Sequence, residues 1–324
     1  MPTATANNGG AGTQSLGLAF AGRTPGLTGA TYEFIGAGAD LGAWATGGTM
    51  NRARYAIAGA GTKTAALAFG GNYPPGDNFA DQTELYNGTS WTELNDMNTG
   101  RQSLAGTGTS TSALVFGGLY PSTTMNAITE SWNGTSWTEV GDLNKARTTL
   151  SEAGASNSSA LAFGGDDFSA PRAQAVNESW NGTAWTELAD MNSGRAGSGA
   201  AGIITSALVF GGSEIPGTVA KTEQWNGSAW SEGNDLNTAR VSLAGSGTTS
   251  TALAFGGTPP NTGKTEDWNG NSWTEVADLN VARNVLGGVG AGTSSSLAFG
   301  GTPPVGGQTE EWSGSSIATN VLTD

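Results

Sequence analysis

Ala113-Leu114-Val115-Phe116-Gly117-Gly118 is one copy of a sequence motif that recurs with small changes along the whole chain. Its phenylalanine returns at spacings of 49, 47, 47, 47, 45 and 44 residues, at Phe20, Phe69, Phe116, Phe163, Phe210, Phe255 and Phe299. Self-similarity at a fixed period of roughly 20 to 50 residues indicates a repeat architecture, in which each repeat is one supersecondary unit. Seven units account for the 324 residues, so the sequence predicts a single domain.

Four short stretches in each unit have the character of β-strands and are separated by turn residues. In the third unit they are residues 103–107, 113–116, 128–132 and 136–140. Because side chains alternate along a strand, Leu114 and Phe116 face one side of the sheet, while Ala113 and Val115 face the other. We therefore expect the bulky face of each sheet to stack on the small face of the next sheet.

An Asn-Gly dipeptide separates the third and fourth strands, as at Asn133-Gly134. This dipeptide readily adopts the positive φ angles of a tight hairpin turn. A loop of two residues and a loop of four residues both place Trp132 and Trp137 on the same face of the sheet.

Four antiparallel strands per unit, seven units and no helical period predict an all-β fold, a seven-bladed β-propeller. The expected blades cover approximately residues 1–50, 51–98, 99–145, 146–192, 193–238, 239–281 and 282–324. The Gly-rich first strand of each blade is expected next to the axis, where there is little room for side chains. Because the units begin and end nearly in phase, we expect Ser316 to Leu322 to form the last outer strand, with no strand exchange closing the ring.

The order of motifs within each unit resembles the kelch repeat. Phe-Gly-Gly is followed by Glu-x-Trp, by a second Trp with Thr-Glu, and by Asp-[Leu/Met]-Asn-x-x-Arg. The matching second tryptophans and arginines are Trp91, Trp137, Trp185, Trp230 and Trp273, and Arg101, Arg147, Arg195, Arg240 and Arg283. The spacing in Trp-Asn-Gly-Thr-Ser-Trp is shorter than in that family and implies a tighter outer hairpin. The repeated motifs, the low content of charged residues and the high Gly, Ser and Thr content also resemble kelch-like segments of structural proteins from marine bacteriophages.

The composition excludes several classes of function. The chain has no Cys and no His, which excludes disulfides, a thiol nucleophile and imidazole catalysis, and also the copper oxidases found among kelch propellers. With 13 Lys+Arg against 27 Asp+Glu, the net charge of -14 argues against nucleic-acid binding. No apolar stretch approaches the roughly 20 residues of a membrane helix, so we expect no membrane insertion. No cofactor is predicted, and the amino end does not resemble a secretory signal.

Two recurring sets of residues have both a functional and a structural interpretation. The paired tryptophans are suited to stacking on sugar rings, but their presence in almost every unit favours packing between blades. One Arg and one Glu per blade, such as Arg147 with Glu130 or Glu178, suggest a charged centre of sialidase type. Repetition favours structural pairing or carbonyl bonding at the blade junctions instead.

Oxygen-rich loops raise the question of cation binding. The Asp-x-Asn loops, such as Asp142-Leu143-Asn144, place oxygen atoms close together, although Asp and Asn also bond the backbone of their own turns. We predict no metal centre and retain Asp166 and Asp167, the adjacent acidic pair in a variable loop, as weak calcium candidates.

The loops between the second and third strands differ most among the repeats, and they emerge on the same face as the linkers between blades. Variable loops on a fixed scaffold are where binding residues collect. The predicted ligand- or partner-binding residues are Tyr73, Phe79, Tyr120, Met125, Phe168, Arg172 and Ile215. The alternative is that these side chains pack against their own blade or against a neighbouring subunit.

These observations predict a non-enzymatic recognition or structural module. The phage resemblance implies a virion component, such as a tail fibre, receptor-binding or decoration protein. Its partners would be a host surface glycan or protein, or other virion proteins in a larger complex. The protein would lie in the virion or at an extracellular surface, or in the producing cell before assembly. The alternative is a secreted, sialidase-like hydrolase, which needs two carboxylates about 5 to 10 Å apart in a pocket.

Overall fold

The computed structural model of the chain describes residues 9–12, 16–23, 27–35, 42–75, 78–121, 123–169 and 171–314. Strands β1 (Gly9–Gly12), β2 (Leu16–Arg23) and β3 (Leu27–Ile35) form a three-stranded antiparallel sheet. Residues 42–314 form a separate compact unit, which contains all the features discussed below.

Residues 42–314 form six four-stranded antiparallel sheets, which we call blades 1 to 6. The first strand of this unit, β4 (Ala43–Thr46), belongs to blade 6. Blade 1 contains β5 (Ala58–Thr62), β6 (Ala65–Phe69), β9 (Thr83–Tyr86) and β10 (Trp91–Glu93). The short strands β7 (Asn72–Tyr73) and β8 (Asn78–Phe79) pair within the loop of blade 1. Blade 2 contains β11 (Ala105–Thr109), β12 (Ser112–Phe116), β13 (Thr129–Trp132) and β14 (Trp137–Glu139). Blade 3 contains β15 (Ser151–Ser156), β16 (Ser159–Phe163), β17 (Asn177–Trp180) and β18 (Trp185–Glu187).

The remaining three blades repeat this order of strands. Blade 4 contains β19 (Gly199–Ile203), β20 (Ser206–Phe210), β21 (Thr222–Trp225) and β22 (Trp230–Glu232). Blade 5 contains β23 (Ala244–Gly247), β24 (Ala252–Phe255), β25 (Thr265–Trp268) and β26 (Trp273–Val276). Blade 6 contains β27 (Gly287–Gly290), β28 (Ser295–Phe299), β29 (Thr309–Ser313) and β4. Among the described residues, the one helix is a 3-10 turn at Gly292–Ser294, and no helix is long and apolar enough to cross a membrane.

The predicted all-β propeller with four-stranded antiparallel blades is confirmed, but the prediction of seven blades is wrong. The inner strand of blade 6, β27, packs directly on the inner strand of blade 1, β5, so six blades complete the ring within the described residues. The copy of the repeated motif around Phe20 lies instead in the three-stranded sheet. The Gly-rich first strands pack on one another around the axis, as expected.

The prediction that no strand exchange closes the ring is also wrong. Strand β4 pairs with β29 in blade 6, with Trp44 opposite Trp312. Residues 43–46, assigned from the sequence to the first blade, thus supply the outer strand of the last one. Residues 316–322, the expected last outer strand, lie outside the described residues.

Packing between blades follows the bulky-on-small pattern read from the sequence. Leu67 and Phe69 of blade 1 pack in one buried cluster with Ala113 and Val115 of blade 2. In every junction the phenylalanine of one blade also contacts the outer tryptophan of the next, with ring centroids 4.7–5.4 Å apart. The paired tryptophans are buried, which confirms their structural interpretation.

A closed ring of main-chain hydrogen bonds joins the six blades near the axis. Each member donates its N–H to the carbonyl oxygen of the member in the preceding blade, at 2.7–3.0 Å. The members of this hydrogen-bond ring are Ala56, Ser103, Thr149, Gly197, Ser242 and Val285. All six have positive φ angles, between 45° and 64°. Left-handed backbone costs a non-glycine residue roughly 1–2 kcal/mol, so the ring holds five residues in a conformation they would otherwise avoid.

The outer hairpins explain the Asn-Gly dipeptides. In blade 2 the loop has four residues, with Asn133 N–H donating to the Ser136 carbonyl and the Asn133 side-chain oxygen accepting from the N–H groups of Thr135 and Ser136. Gly134 has a φ of 95°, which favours glycine. Trp132 and Trp137 pair directly across this loop on one face, as predicted.

We predict that Trp44→Ala destabilises the propeller by about 3–5 kcal/mol, as expected for truncating a buried aromatic side chain. Trp44 contacts Phe255 at 5.0 Å between ring centroids and donates its Nε1–H to Thr265 Oγ1 of blade 5. Urea unfolding measures the change. The matched variant is Trp185→Ala in blade 3, which should cost a similar amount. A Trp44→Ala protein as stable as the parent would show that residues 43–46 do not close the ring.

We predict that Asn177→Thr stabilises the propeller by about 1 kcal/mol. Five outer tryptophans donate Nε1–H to a threonine Oγ1 in the preceding blade, at 2.9–3.0 Å. At the sixth such place stands Asn177, and among the described residues neither its Oδ1 nor Trp230 Nε1 has a hydrogen-bond partner. Threonine would restore the shared hydrogen bond, at the cost of the contact from Asn177 Nδ2 to the Ala189 carbonyl.

Thermal unfolding should show a rise in Tm of about 2–4 °C for Asn177→Thr. The reciprocal variant, Thr129→Asn in blade 2, should lower the Tm because it removes the acceptor of Trp185. If both substitutions shift the Tm in the same direction, the inferred hydrogen bond is not what distinguishes the two junctions.

Candidate functional site

One face of the propeller collects the loops that differ among the repeats. We call it the loop face. Its loops are residues 72–75, 78–79, 119–121, 123–125, 166–169, 171–172, 213–216, 258–261 and 302–305. The first residue of each loop forms an antiparallel bridge with the linker residue that precedes a member of the hydrogen-bond ring, such as Leu119 with Gln102. The bases of all six loops are therefore held around the axis.

Aromatic residues from blades 1 and 2 lie together on the loop face. Phe79 and Tyr120 make an edge-to-face contact with ring centroids 5.7 Å apart, and Tyr120 is 42% exposed. Tyr73 is half-buried beneath the guanidinium of Arg52, which lies 3.4 Å from the ring centroid. The arrangement leaves one aromatic edge open to solvent and two rings packed against the protein.

The blade 3 loop presents Phe168 and Arg172 to solvent. Phe168 is 43% exposed, and the Arg172 guanidinium lies 5.0 Å from its ring centroid. Arg172 also forms an ion pair with Asp166. A cation held over an aromatic face and anchored by a carboxylate is a defined polar and apolar surface for a ligand.

The two calcium candidates are paired with cationic side chains. Asp166 contacts Arg172, and Asp167 forms an ion pair with Lys145 at 2.7 Å. Burial alone would raise the pKa of Asp167, but hydrogen bonds from Lys145 and Ser169 outweigh it and lower that pKa. Among the residues described, no three acidic side chains are grouped as a metal site would require.

Met125 and Ile215 are half-buried and lie in the loops of blades 2 and 4. Met125 bridges back to Leu119 within its own loop. Ile215 has a φ of 35°, and its N–H donates to Ser213 Oγ. Of the residues predicted to bind a partner, the structure thus joins Phe79 to Tyr120 and Phe168 to Arg172, and places Met125 and Ile215 in separate loops.

The repeated Arg and Glu residues form buried ion pairs, which confirms their structural interpretation. Arg147 Nη2 lies 2.6 Å from Glu178 Oε1, and each blade has an equivalent pair at 2.5–3.2 Å with both side chains at most 3% exposed. Arg147 Nη1 also donates to the carbonyl oxygens of Gly164 and Val176. Burial lowers the pKa of the Arg147 guanidinium, and Glu178 opposes that shift.

The Asp-x-Asn loops lock each blade to the next. Asp142 Oδ1 accepts a hydrogen bond from the Thr129 N–H of blade 2. Asn144 donates its backbone N–H and its Nδ2 to Glu178 Oε2 of blade 3, at 2.7 and 2.8 Å. These loops therefore bond neighbouring strands rather than the backbone of their own turns, and their side chains are engaged in the scaffold.

The axis contains a carboxylate that the sequence analysis did not single out. Glu152, on the inner strand β15, lines both of the cavities found along the axis. The equivalent residues in the other blades are Gly59, Gly106, Ala200, Gly245 and Gly288. Burial raises the pKa of Glu152 to about 8. The signal was a glutamate at a position that is otherwise glycine or alanine.

Comparison with known proteins leaves the family open. No protein-family model matches the chain, and no curated protein matches its sequence. The propeller fold is established by the structure, and the kelch resemblance stays a prediction.

We predict that Glu178→Gln destabilises the protein by about 3–5 kcal/mol, because it leaves the buried Arg147 charge without its counter-ion. The matched control is Glu187→Gln, an exposed residue opposite Glu178 on the neighbouring strand, which should change stability by less than about 0.5 kcal/mol. Urea unfolding compares the two. Equal effects of the two variants would contradict the scaffold role of the Arg–Glu pair.

Proposed function

We propose that this chain is a non-enzymatic recognition module that binds its partner through the loop face. The observation that carries the proposal is the contrast between a repeated scaffold and unequal loops. The Arg–Glu pairs and the outer tryptophans recur in all six blades, whereas the exposed Tyr120 and Phe168 each occur in one loop. A rigid ring that carries different side chains at its rim is suited to specific binding.

The chemistry of the loop face favours a partner with both apolar and anionic groups. Tyr120 and Phe168 offer aromatic surface, and aromatic residues are enriched among those that contribute most to binding. Arg172, with a side chain 49% exposed, offers hydrogen-bond donors close to Phe168. A surface glycan with carboxylate groups, or an acidic protein loop, fits this combination.

The finer part of the proposal rests on the resemblance to kelch-like segments of phage structural proteins. On that basis we propose a virion component, a tail fibre, receptor-binding or decoration protein, located at a virion or extracellular surface. Its partner would be a host glycan or protein, or another virion protein.

The absence of enzymatic activity is part of the proposal. A sialidase-like hydrolase needs carboxylates and arginines that reach the substrate. The repeated Arg and Glu side chains are instead buried against one another, at most 3% exposed. They support the blades and are not accessible to a sugar.

We predict that the protein binds members of an array of bacterial surface polysaccharides, and that Tyr120→Ala and Phe168→Ala each weaken this binding at least about tenfold, as for interface aromatic residues. The control is Ile203→Ala, because Ile203 is 46% exposed but lies at the opposite end of the strands, beside the hairpin of blade 4. It should bind like the parent.

The same preparations should be incubated with a fluorogenic sialoside. Binding without release of the fluorophore supports the proposal. Release of the fluorophore that survives purification and is lost in a loop-face variant would instead favour the hydrolase. Glycan binding that is weakened equally by Ile203→Ala would show that the binding site is not on the loop face.

A further inference from the structure

Among the residues that line the two axial cavities, one carries an ionisable side chain. At the second residue of the inner strand, five blades carry Gly59, Gly106, Ala200, Gly245 and Gly288, and blade 3 carries Glu152. This is where sheets converge and where a small residue fits best. A long acidic side chain at that level therefore occupies the space that the other five blades leave open.

The side chain lies where two cavities meet. One, of about 120 Å³, begins at the hydrogen-bond ring on the loop-face side, and the other, of about 210 Å³, extends to the opposite side. Both are lined by Glu152, Gly59, Ala200, Gly245 and Gly288. Each is far larger than the roughly 10–15 Å³ that one water requires, so the channel has room for a small ligand on either side of the carboxylate.

Glu152 faces no other charge in this channel. The residues that line the two cavities include no other ionisable side chain. The strands packed against β15, which are β11, β12, β16 and β19, also carry none. Across the described residues, no hydrogen bond or ion pair engages the Glu152 carboxyl. The side chain is half-buried, and a carboxylate held in this channel without a partner in the protein takes a proton or a cation as its counter-charge.

The channel wall offers oxygen atoms to a cation. Each inner strand is an edge strand, which pairs in its sheet only with the second strand of its blade. The other edge of such a strand presents main-chain N–H and C=O groups. The hydrogen-bond ring uses main-chain groups of the linkers that precede the inner strands, so it does not occupy the free edges of the strands themselves. Main-chain carbonyls in a ring are able to replace the hydration shell of an alkali ion.

We propose that the axial channel binds a small monovalent cation, an alkali ion or a primary ammonium group, through the Glu152 carboxylate and the surrounding main-chain carbonyls. A single carboxylate neutralises one positive charge. Divalent ions such as calcium are usually held by several carboxylates, and this lining has one. The proposal concerns the axis and is independent of the function proposed for the loops.

Proton and cation compete for the same carboxyl group, which gives the site a pH signature. The pKa of Glu152 is raised by burial to about 8, above its usual value of 4.5. Between these two pH values the folded protein keeps the proton on Glu152, whereas the unfolded chain has lost it. The free energy of unfolding therefore falls as the pH rises from about 4.5 through about 8. A bound cation restores stability above that range.

The test is thermal unfolding of the full chain at about pH 9 and pH 6, in chloride salts of sodium, potassium, methylammonium or tetramethylammonium at equal ionic strength. Tetramethylammonium controls for screening of the net charge and is too bulky and too poor a donor to replace the smaller cations. We expect at least one small cation to raise the Tm by about 3 °C over tetramethylammonium at pH 9, and by less at pH 6.

Two variants make the result specific. Glu152→Gln keeps the size of the side chain and removes its charge, and it should abolish the difference among the salts. Glu187→Gln removes an exposed carboxylate from the outer strand of the same blade and should retain it. A salt effect that persists in Glu152→Gln, or no difference among the salts in the parent, would overturn the proposal.

Diffraction from crystals soaked in rubidium chloride distinguishes a site for an alkali ion from a site for an ammonium group. An anomalous peak beside Glu152 that is missing in Glu152→Gln identifies an alkali-ion site. If no peak appears and methylammonium alone stabilises the parent, the site takes an ammonium group. A protein with neither response has no cation site at its axis.

Discussion

The fold depends on one steric constraint, which is that no blade can bury both of its faces by itself. The leucine and phenylalanine of each second strand need the alanine or valine face of the next blade, and the phenylalanine also needs the edge of the next outer tryptophan. Six such junctions are satisfied only if the last blade meets the first. Closure of the ring is therefore a requirement of packing, and strand β4 completes it at the rim.

The buried charges extend that constraint from the blades to the linkers. Arg147 bonds Glu178 and two carbonyl oxygens, and Thr149, two residues further on, is a member of the hydrogen-bond ring. Buried ion pairs contribute little net stability compared with apolar packing, but their fixed geometry specifies position. The linkers and the loop bases are thus held in place from within, which leaves the loop tips and the axis free to differ between blades.

The local features were predictable from the sequence and the closure was not. Alternation in Ala113 to Phe116 predicts two unlike faces, and the recurrence of Arg147 and its equivalents predicts a structural role, because both depend on short-range patterns. The blade count depends on whether residues 43–46 pair with their own repeat or with β29, more than two hundred residues away, and no local pattern decides that. Glu152 was missed because the sequence places its strand next to the axis but does not show which residues of that strand line the channel, and the register of the six inner strands is needed for that.

The origin of β4 has a consequence for biosynthesis. Residues 43–46 leave the ribosome before any strand of the blade they will complete, and Trp44 remains without its partner strand until β29 has been made. Through that interval a short, tryptophan-bearing segment is available for contacts with other nascent chains, as unpaired strands generally are. The propeller should thus acquire its final cooperativity in a single late step, and agents that delay translation near residues 309–313 should lengthen the time during which the chain is susceptible to aggregation.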